Sequence, residues 1–525
     1  MKKTMSEISE QVQELLNNPE KILQKKPFFR GYDTSCVCNN TLNNYLKRAG
    51  FTDMVSVTLP QLKKRVITQD EYLMELEPEN HKVLYDQNIP SITMKLDNGG
   101  FVEVQYKKMA VSFQQNIKDK QVQHLCGLPM SFTLMDANPD EKQRADFVTF
   151  KQYWDLRNQD GMKTKMVDVQ KSVGDVGLLY YFDKNNRIKS RILSYMDGYV
   201  LCPHDDDNGD RILESVYYKI DDVEYIDSYD DTYFYRMIRD NTNVDDNGWR
   251  RLAPKAHGFT EIPLITKRGK VAWENAQSVI EAYEILYNIF LVIQKRHGWG
   301  ILYIKGDFEN NGKKIAGSVI LNSKNTSYSQ EANTDDAKFL TPPSPQGTID
   351  TLQLMEETIQ KNSSTTFLLP KDVKTTGDIS GVAIMLTQSM DIENASKGVI
   401  EWQNVADKMV RLFKQGLAKE LVVSQIQPSA ITDFDNLHIN AKFKVYRPQS
   451  ETDIVTRLQT GVTSGFLSVE TASEMNPDAK PDEKARLEKE KQAKIDEQLY
   501  QQEQALIISQ KHSVQDNNNN NKKEE

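Results

Sequence analysis

From Trp273 to His297 the chain carries neither proline nor glycine, and Val279, Tyr283, Leu286, Phe290 and Ile293 recur at alternating spacings of four and three. That period belongs to an α-helix. Ala282, Ile285, Ile289 and Val292 form a second, adjacent stripe, which predicts a wide buried face packed on more than one partner. Such a helix is ~38 Å long at 1.5 Å per residue. Gly298 and Gly300 mark its end. Its most apolar stretch, Tyr283 to Ile293, includes Glu284 and Asn288 and falls far short of the ~20 residues that span a bilayer.

A longer helix is predicted from Ser380 to about Leu421, ~63 Å at the same rise. Ser380 serves as its cap, and Ala395, Val399, Trp402, Ala406, Met409 and Phe413 keep the four–three spacing. Gly398 sits mid-helix, where glycine costs ~1 kcal/mol relative to alanine, so a kink is expected there. Between the two helices, residues 301–347 read as a small insert. Ile301–Ile304 and Ser318–Leu321 look like strands with Asn310-Asn311-Gly312 as the turn, and Pro342, Pro343 and Pro345 close it stiffly. A further helix follows with Thr348 as N-cap, running to about Ser364 and burying Ile349, Leu352, Met355 and Ile359.

Ahead of the helices the pattern is β. Gly99 to Tyr106 alternates like a strand. Leu178–Phe182, the turn Asp183–Asn186 and Arg187–Lys189 form a hairpin signal. Ser215–Tyr218 and Thr232–Tyr235 add aromatic-rich strands, and Pro263 closes this region. Residues 1–30 read as a short helix and a loop, and 40–135 as mixed. Residues 437–446 give one more strand, with helices expected over Glu451–Thr460 and Ser468–Met475. From Pro481 to about Gln504 the chain is almost wholly charged and Gln-rich, and the Asn-rich tail 506–525 should be disordered.

The net charge is -9, which argues against tight, sequence-specific DNA binding but not against a surface that DNA slides past. Cys36 and Cys38 form a lone C-x-C without a second pair, and with Cys126 and Cys202 they read as reduced thiols. The start MKKTMSEISEQ leads into no apolar run, so no signal peptide is expected, and assembly in a cytoplasm is. No phosphate-binding glycine loop, H-E-x-x-H or G-x-S-x-G occurs, and the seven histidines are scattered. The acidic run Asp205–Asp210 lacks calcium-loop offsets, and Asn208-Gly209 reads as the type I′ turn of a solvated hairpin. No catalytic residue, metal or cofactor is expected.

The order of parts resembles the phage portal family of the SPP1 type. His257-Gly258-Phe259-Thr260-Glu261-Ile262-Pro263 is similar to its "h-x-f-g-x-I-P" strand, and Val279-Ile280-Glu281-Ala282-Tyr283-Glu284 to the "l-I-d-A-Y-n" helix. Ser380-Gly381-Val382-Ala383-Ile384 resembles its "S-G-v-A-l" opening of the kinked helix. Gly461–Ser464 with Ser468–Ala472 resembles its C-terminal helix pair, and Asn116–Lys120 to Gly127-Leu128-Pro129 its "n-x-i-x-d-x-k" stretch. The likeness covers roughly 105–495; the helix opening lacks the usual aspartate, and residues 1–105 match no part of the pattern.

This resemblance implies an α+β portal fold in a ring oligomer, a dodecamer in this family. An α/β wing would take 1–272, stem helices 273–298 and 348–369, and a small α/β clip 299–347. Residues 380–436 would be the long kinked helix and wing, with a helical crown over 437–505. The segment 370–379 would be the tunnel loop at the narrowest part of a DNA channel, presenting Lys371, Asp372, Val373, Lys374, Thr375, Thr376 and Gly377. Two lysines among small polar residues can touch phosphates briefly without holding them, although an ordinary solvated connection has the same composition. The implied partners are other copies of the chain, double-stranded DNA passing non-specifically, the terminase large subunit, the head-tail adaptor, the major capsid protein and a scaffold. The implied location is the portal vertex of a bacteriophage virion, with no membrane involved. Another head-completion or scaffold protein is the alternative, and would be mostly coiled coil. A packaging enzyme would need a phosphate loop and clustered acidic metal ligands.

Overall fold

The computed structural model describes residues 5–32, 64–89, 92–95, 101–104, 107–136, 138–239, 248–297, 301–305, 308–315, 318–323, 336–340, 345–367, 386–447, 451–469, 472, 486 and 489–504. The protein is mixed α+β. It divides into two compact units: Met1–Leu368 with Gln388–Tyr446, and Leu369–Thr387 with Arg447–Glu525.

The first unit opens with α1 (Met5–Asn17) and α2 (Pro19–Ile22), where Pro19 occupies a first-turn position whose N–H would go unused. Strands β1 (Phe28–Tyr32) and β2 (Lys64–Ile67) pair antiparallel. Thr68 then caps α3 (Gln69–Leu76) by accepting from Glu71 N at 3.2 Å. Two 3₁₀ turns follow, Pro78–Asn80 and Lys82–Tyr85. The alternation read over Gly99–Tyr106 is realised as the hairpin of β3 (Ile92–Lys95) and β4 (Phe101–Val104). Next come α4 (Phe113–Cys126), β5 (Ser131–Leu134), α5 (Glu141–Leu156) and α6 (Gln159–Val173). Asp140 and Gln143 form a reciprocal capping box at the start of α5.

The β region contains β6 (Asp175–Phe182), β7 (Ile188–Leu193), β8 (Val200–Asp205), β9 (Arg211–Ile220), β10 (Val223–Tyr229) and β11 (Tyr233–Arg239). The short β12 (Arg250–Arg251), β13 (Lys255–Ala256) and then β14 (Leu264–Arg268) complete it. One sheet has the order β14-β6-β7; the other runs β12-β11-β10-β9-β8, with β13 also on β11. Its core joins Val12, Leu16 and Ile22 to Leu213, Ile226 and Met237.

The predicted β6–β7 hairpin is present, its turn stapled by the Asp183 carboxylate, which accepts from Asn185 N and Arg187 N at 2.8 and 2.9 Å. Pro263, by contrast, does not close the β region. It precedes β14, which pairs with β6, and its carbonyl accepts from Tyr180 N at 3.0 Å. A proline at the first position of a strand loses no ladder donor. The Asp205–Asp210 run is a hairpin as expected, but not through a type I′ turn. Gly209 is left-handed at φ +88 while Asn208 is not, and the Asp206 carbonyl accepts from Gly209 N at 3.0 Å. That is a type I turn closed by a glycine bulge.

The long helix α7 runs over Gln277–His297, four residues shorter at its start than the apolar spacing suggests. Trp273 and Glu274 are drawn instead into tertiary hydrogen bonds with Glu75 and Arg30, which hold 272–276 as turns. The glycines expected to end α7, Gly298 and Gly300, lie outside the described residues.

The insert pairs β15 (Ile301–Lys305) with β18 (Asp336–Leu340) and β16 (Phe308–Ile315) with β17 (Ser318–Ser323). Asn310-Asn311-Gly312 is therefore not its turn: these residues lie within β16, where the register shifts between Asn310 and Lys314. A glycine in such a run marks a bulge as readily as a turn. The described residues over 301–340 are all in strands, and the end of the expected insert, 346–347, belongs to the next helix.

Helix α8 (Gln346–Ser363) starts two residues before the expected cap, with Pro345 at the N-cap and Thr348 inside it. Leu352 and Ile359 are buried and Met355 packs against the same cluster, as the spacing predicted. Helix α9 (Ser389–Val423) buries Ala395, Trp402, Ala406, Met409 and Phe413; the expected cap Ser380 lies outside the described residues. Then α10 (Ala430–Asp435) leads to β19 (Ile439–Lys442), which pairs with β5. The main core gathers α5, α6, α9, β6 and β7 around Phe150, Trp154, Trp402 and Phe413.

In the second unit α11 (Glu451–Thr463) replaces the helix expected to end at Thr460. Residues 489–504 are helical and exposed throughout. The tail 506–525 and most of Ser468–Met475 lie outside the described residues.

Candidate functional site

The sequence singled out Lys371, Asp372, Val373, Lys374, Thr375, Thr376 and Gly377, all of which lie outside the described residues. What is described is the base from which that segment departs. At the end of α8, Ser364 turns left-handed at φ 50, and Thr365 N donates back to the Gln360 carbonyl at 3.1 Å. Phe367 N donates to Gln360 Oε1 at 3.0 Å. The first turn of α9 supplies Asp391, 3% exposed, whose two carboxylate oxygens both accept from Thr366 N at 3.2 Å. Gln121 on α4 donates to the Ser363 and Ala272 carbonyls at 2.9 and 3.2 Å, and Lys120 donates to the Thr366 carbonyl. The chain thus leaves α8 and re-enters α9 from one hydrogen-bonded platform, built where three helices meet.

Gly398, the expected kink, lies inside α9, which is continuous from Ser389 to Val423. A Cβ there would come within 3.0 Å of Leu125 Cδ1 on α4, so close helix approach is a second reason for glycine at this position. Gly416, which the sequence reading passed over, is tighter: a Cβ would press into the buried Ile188 side chain.

The second junction fixes α7. Asn288, fully buried, works as a strand edge would: its Oδ1 accepts from Met109 N at 2.8 Å and its Nδ2 donates to the Met109 carbonyl at 2.7 Å. Glu284 Oε1 accepts from Val111 N at 2.8 Å and lies 2.7 Å from His81 Nδ1. His81 Nε2 faces the Glu75 carbonyl at 2.8 Å, which can only accept, so one proton sits there. A second is then shared along the Nδ1–Oε1 axis. Burial alone would lower the His81 pKa, but the hydrogen bond and charge of Glu284 outweigh it, and the net shift is upward.

Close by, Arg30 forks onto Glu274 at 3.1 and 3.2 Å and onto Glu75 at 2.5 Å, and Trp273 Nε1 donates to Glu75 at 2.9 Å. Burial pulls the guanidinium pKa down, yet the two carboxylates raise it further than that.

The profile of the family described as phage portal protein, SPP1 Gp6-like, matches residues 63–497. The chain belongs to the SPP1-type phage portal family. That span contains both junctions, while Arg30 comes from outside it. No curated protein matches the chain. The portal family is structural and non-enzymatic, and a member is a component of the virion capsid. Among the described residues no helix is long and apolar enough to cross a membrane, and no group of three or more His, Cys, Asp or Glu is placed to hold a metal ion. In this portal protein Cys126 and Cys202 are buried free thiols, each pushed up to about 11 by burial; Cys36 and Cys38 lie outside the described residues.

Proposed function

We propose that this protein is the subunit of a homododecameric ring through which double-stranded DNA is packaged and later ejected. The ring docks the terminase large subunit during filling and the head-tail adaptor afterwards, and seats against the major capsid protein, with a scaffold during assembly. Residues 1–272 and 380–436 form the wing with its long helix kinked at Gly398. The stem is 273–298 and 348–369, the clip 299–347, the tunnel loop 370–379 and the crown 437–505. The observation that carries this reading is the family match over 63–497, joined to the order helix, strand insert, helix, connecting segment, long helix. The shared platform of Thr366 and Asp391 supports the tunnel-loop assignment, because a loop that touches moving DNA needs a fixed base.

Exchanging Lys371 and Lys374 for glutamate tests it. Rings should still form, and the amount of packaged DNA should fall, because like charge repels the passing phosphates. Packaging at the wild-type level by that double variant, at low and at high salt, would overturn the tunnel-loop role.

A further inference from the structure

A cleft of about 540 Å³ opens between the turn ahead of α7, the end of α8 and the first turns of α9. In a chain of net charge -9, five cations line it: Lys171, Lys267, Arg268, Lys270 and Lys397. The facing acids are Glu274, Asp391 and Glu401. Two of them are already engaged: Glu274 gives both oxygens to Arg30, and Asp391 gives both to Thr366 N. Glu401 points its side chain to solvent and receives Lys267 Nζ only on its carbonyl, at 2.8 Å. Among the described residues, the Lys171 ammonium has no hydrogen-bond or ion-pair partner. Burial lowers its pKa and the charge of Lys267 adds to that, with the charge of Glu401 acting the other way. An ammonium taken from water without a partner is costly, and an anion arriving beside it removes that cost.

The wall is also pre-built. Gly269 N donates to the Gly174 carbonyl at 2.9 Å, Ala272 N to the Lys171 carbonyl at 3.0 Å, and Gln170 Nε2 to the Lys270 carbonyl at 3.1 Å. These bonds fix the turn 269–272 against the end of α6. A Cβ at Gly269 would lie 2.8 Å from Gln170 Nε2, so a larger residue there would displace the amide that holds the Lys270 carbonyl.

We propose that this cleft binds a phosphate-class anion, held inside by Lys171 and Lys267, with the exposed Lys270 and Lys397 at the mouth. Ammonium groups with unused donors suit a tetrahedral oxyanion. The phosphate could come from a small free anion or from the backbone of DNA, and the two inner lysines favour the small anion. The inference stands on the cleft and not on the ring.

The test is titration of the purified full-length protein with pyrophosphate, and separately with a short DNA duplex, at constant ionic strength. Binding is read by calorimetry and by the rise in apparent Tm. Pyrophosphate should bind, and Lys171→Met should weaken it at least ~10-fold, while Lys189→Met on the exposed side of β7 should not. Should Lys171→Met fold poorly, the surface pair Lys270→Met with Lys397→Met should still weaken binding by several-fold. Duplex binding weakened by the same variants, without pyrophosphate binding, keeps the site and assigns its phosphate to DNA. Wild-type protein that binds neither probe, or variants that bind both as wild type does, would overturn the proposal. Because pyrophosphate binding is read equally on single chains and on rings, a failure here is separable from a failure to assemble.

Discussion

Helices α7 and α9 are both long, yet different chemistry holds them. Along its inner face α9 presents Trp402, Met409, Phe413 and Leu417, each no more than 2% exposed, against the aromatic cluster of Phe150 and Trp154. The inward face of α7 mixes Ile280, Tyr283 and Val292 with Gln277, Glu284 and Asn288, all buried. Part of its apolar surface is left uncovered by the described residues: Ile285 of the second stripe and Ile293 of the first are 38% and 44% exposed, and Ala282 is exposed, while Val292 of the second stripe is buried. Apolar packing is non-directional and tolerates small shifts, whereas a buried carboxylate and amide hold one register and penalise the loss of any partner.

The largest effect should come from α9. Trp402→Ala should cost about 4 kcal/mol of unfolding free energy, equally at pH 6 and pH 8, in denaturant titration. A smaller or pH-dependent loss would blur the contrast between the helices. On α7, Glu284→Leu should cost about 3 kcal/mol, because it strands His81 and the Val111 N–H. Adding His81→Leu should recover part of that loss, and a double variant no better than the sum of its parts would argue against a coupled pair.

The same pair gives a pH signature. The folded His81 pKa lies above its ordinary 6.5, so its contribution is complete below that value and fades as pH rises through the folded one. Glu284 and Glu75 act on it from the acidic side, while Arg30 is bound to Glu75 and Glu274, and Lys82 to Glu281. Stability should therefore decline on the alkaline side of pH 6.5, and His81→Leu should flatten that decline. A wild-type profile that is flat there would remove the proton from the junction.

Two glycines sharpen the account of α9. Gly416→Ala should destabilise by about 2 kcal/mol through its clash with Ile188. Gly398→Ala should change stability by less than about 1 kcal/mol, because alanine's helix preference offsets the adjustment asked of Leu125. A large cost at Gly398 would mean that the backbone there cannot accept alanine.

The sequence made α9 legible because its stripe is local: each apolar residue has its neighbour three or four positions on, and all six singled-out residues lie on the core side. The β6–β7 hairpin was legible for the same reason, its turn chemistry lying within five residues. The grip on α7 was not. Glu284 and His81 are 203 positions apart and Arg30 and Glu274 are 244, and no periodicity spans such distances. The available signal was the polarity itself, since Glu284 and Asn288 interrupt the most apolar run of the chain. The family was readable from the order of its weak motifs, while residues 5–32, which give Arg30 and the cover of the larger sheet, fall outside the matched span.

The uncovered apolar surface of α7 leads to the central claim, that copies of the chain close into a ring. A heterologous contact repeated around an axis would cover Ile285 and Ile293. The direct measurement is the mass and image of the purified full-length protein, by native mass spectrometry and electron microscopy over a range of salt and concentration. The account predicts a closed ring of about twelve copies around a central hole. Monomers alone under every condition would contradict it.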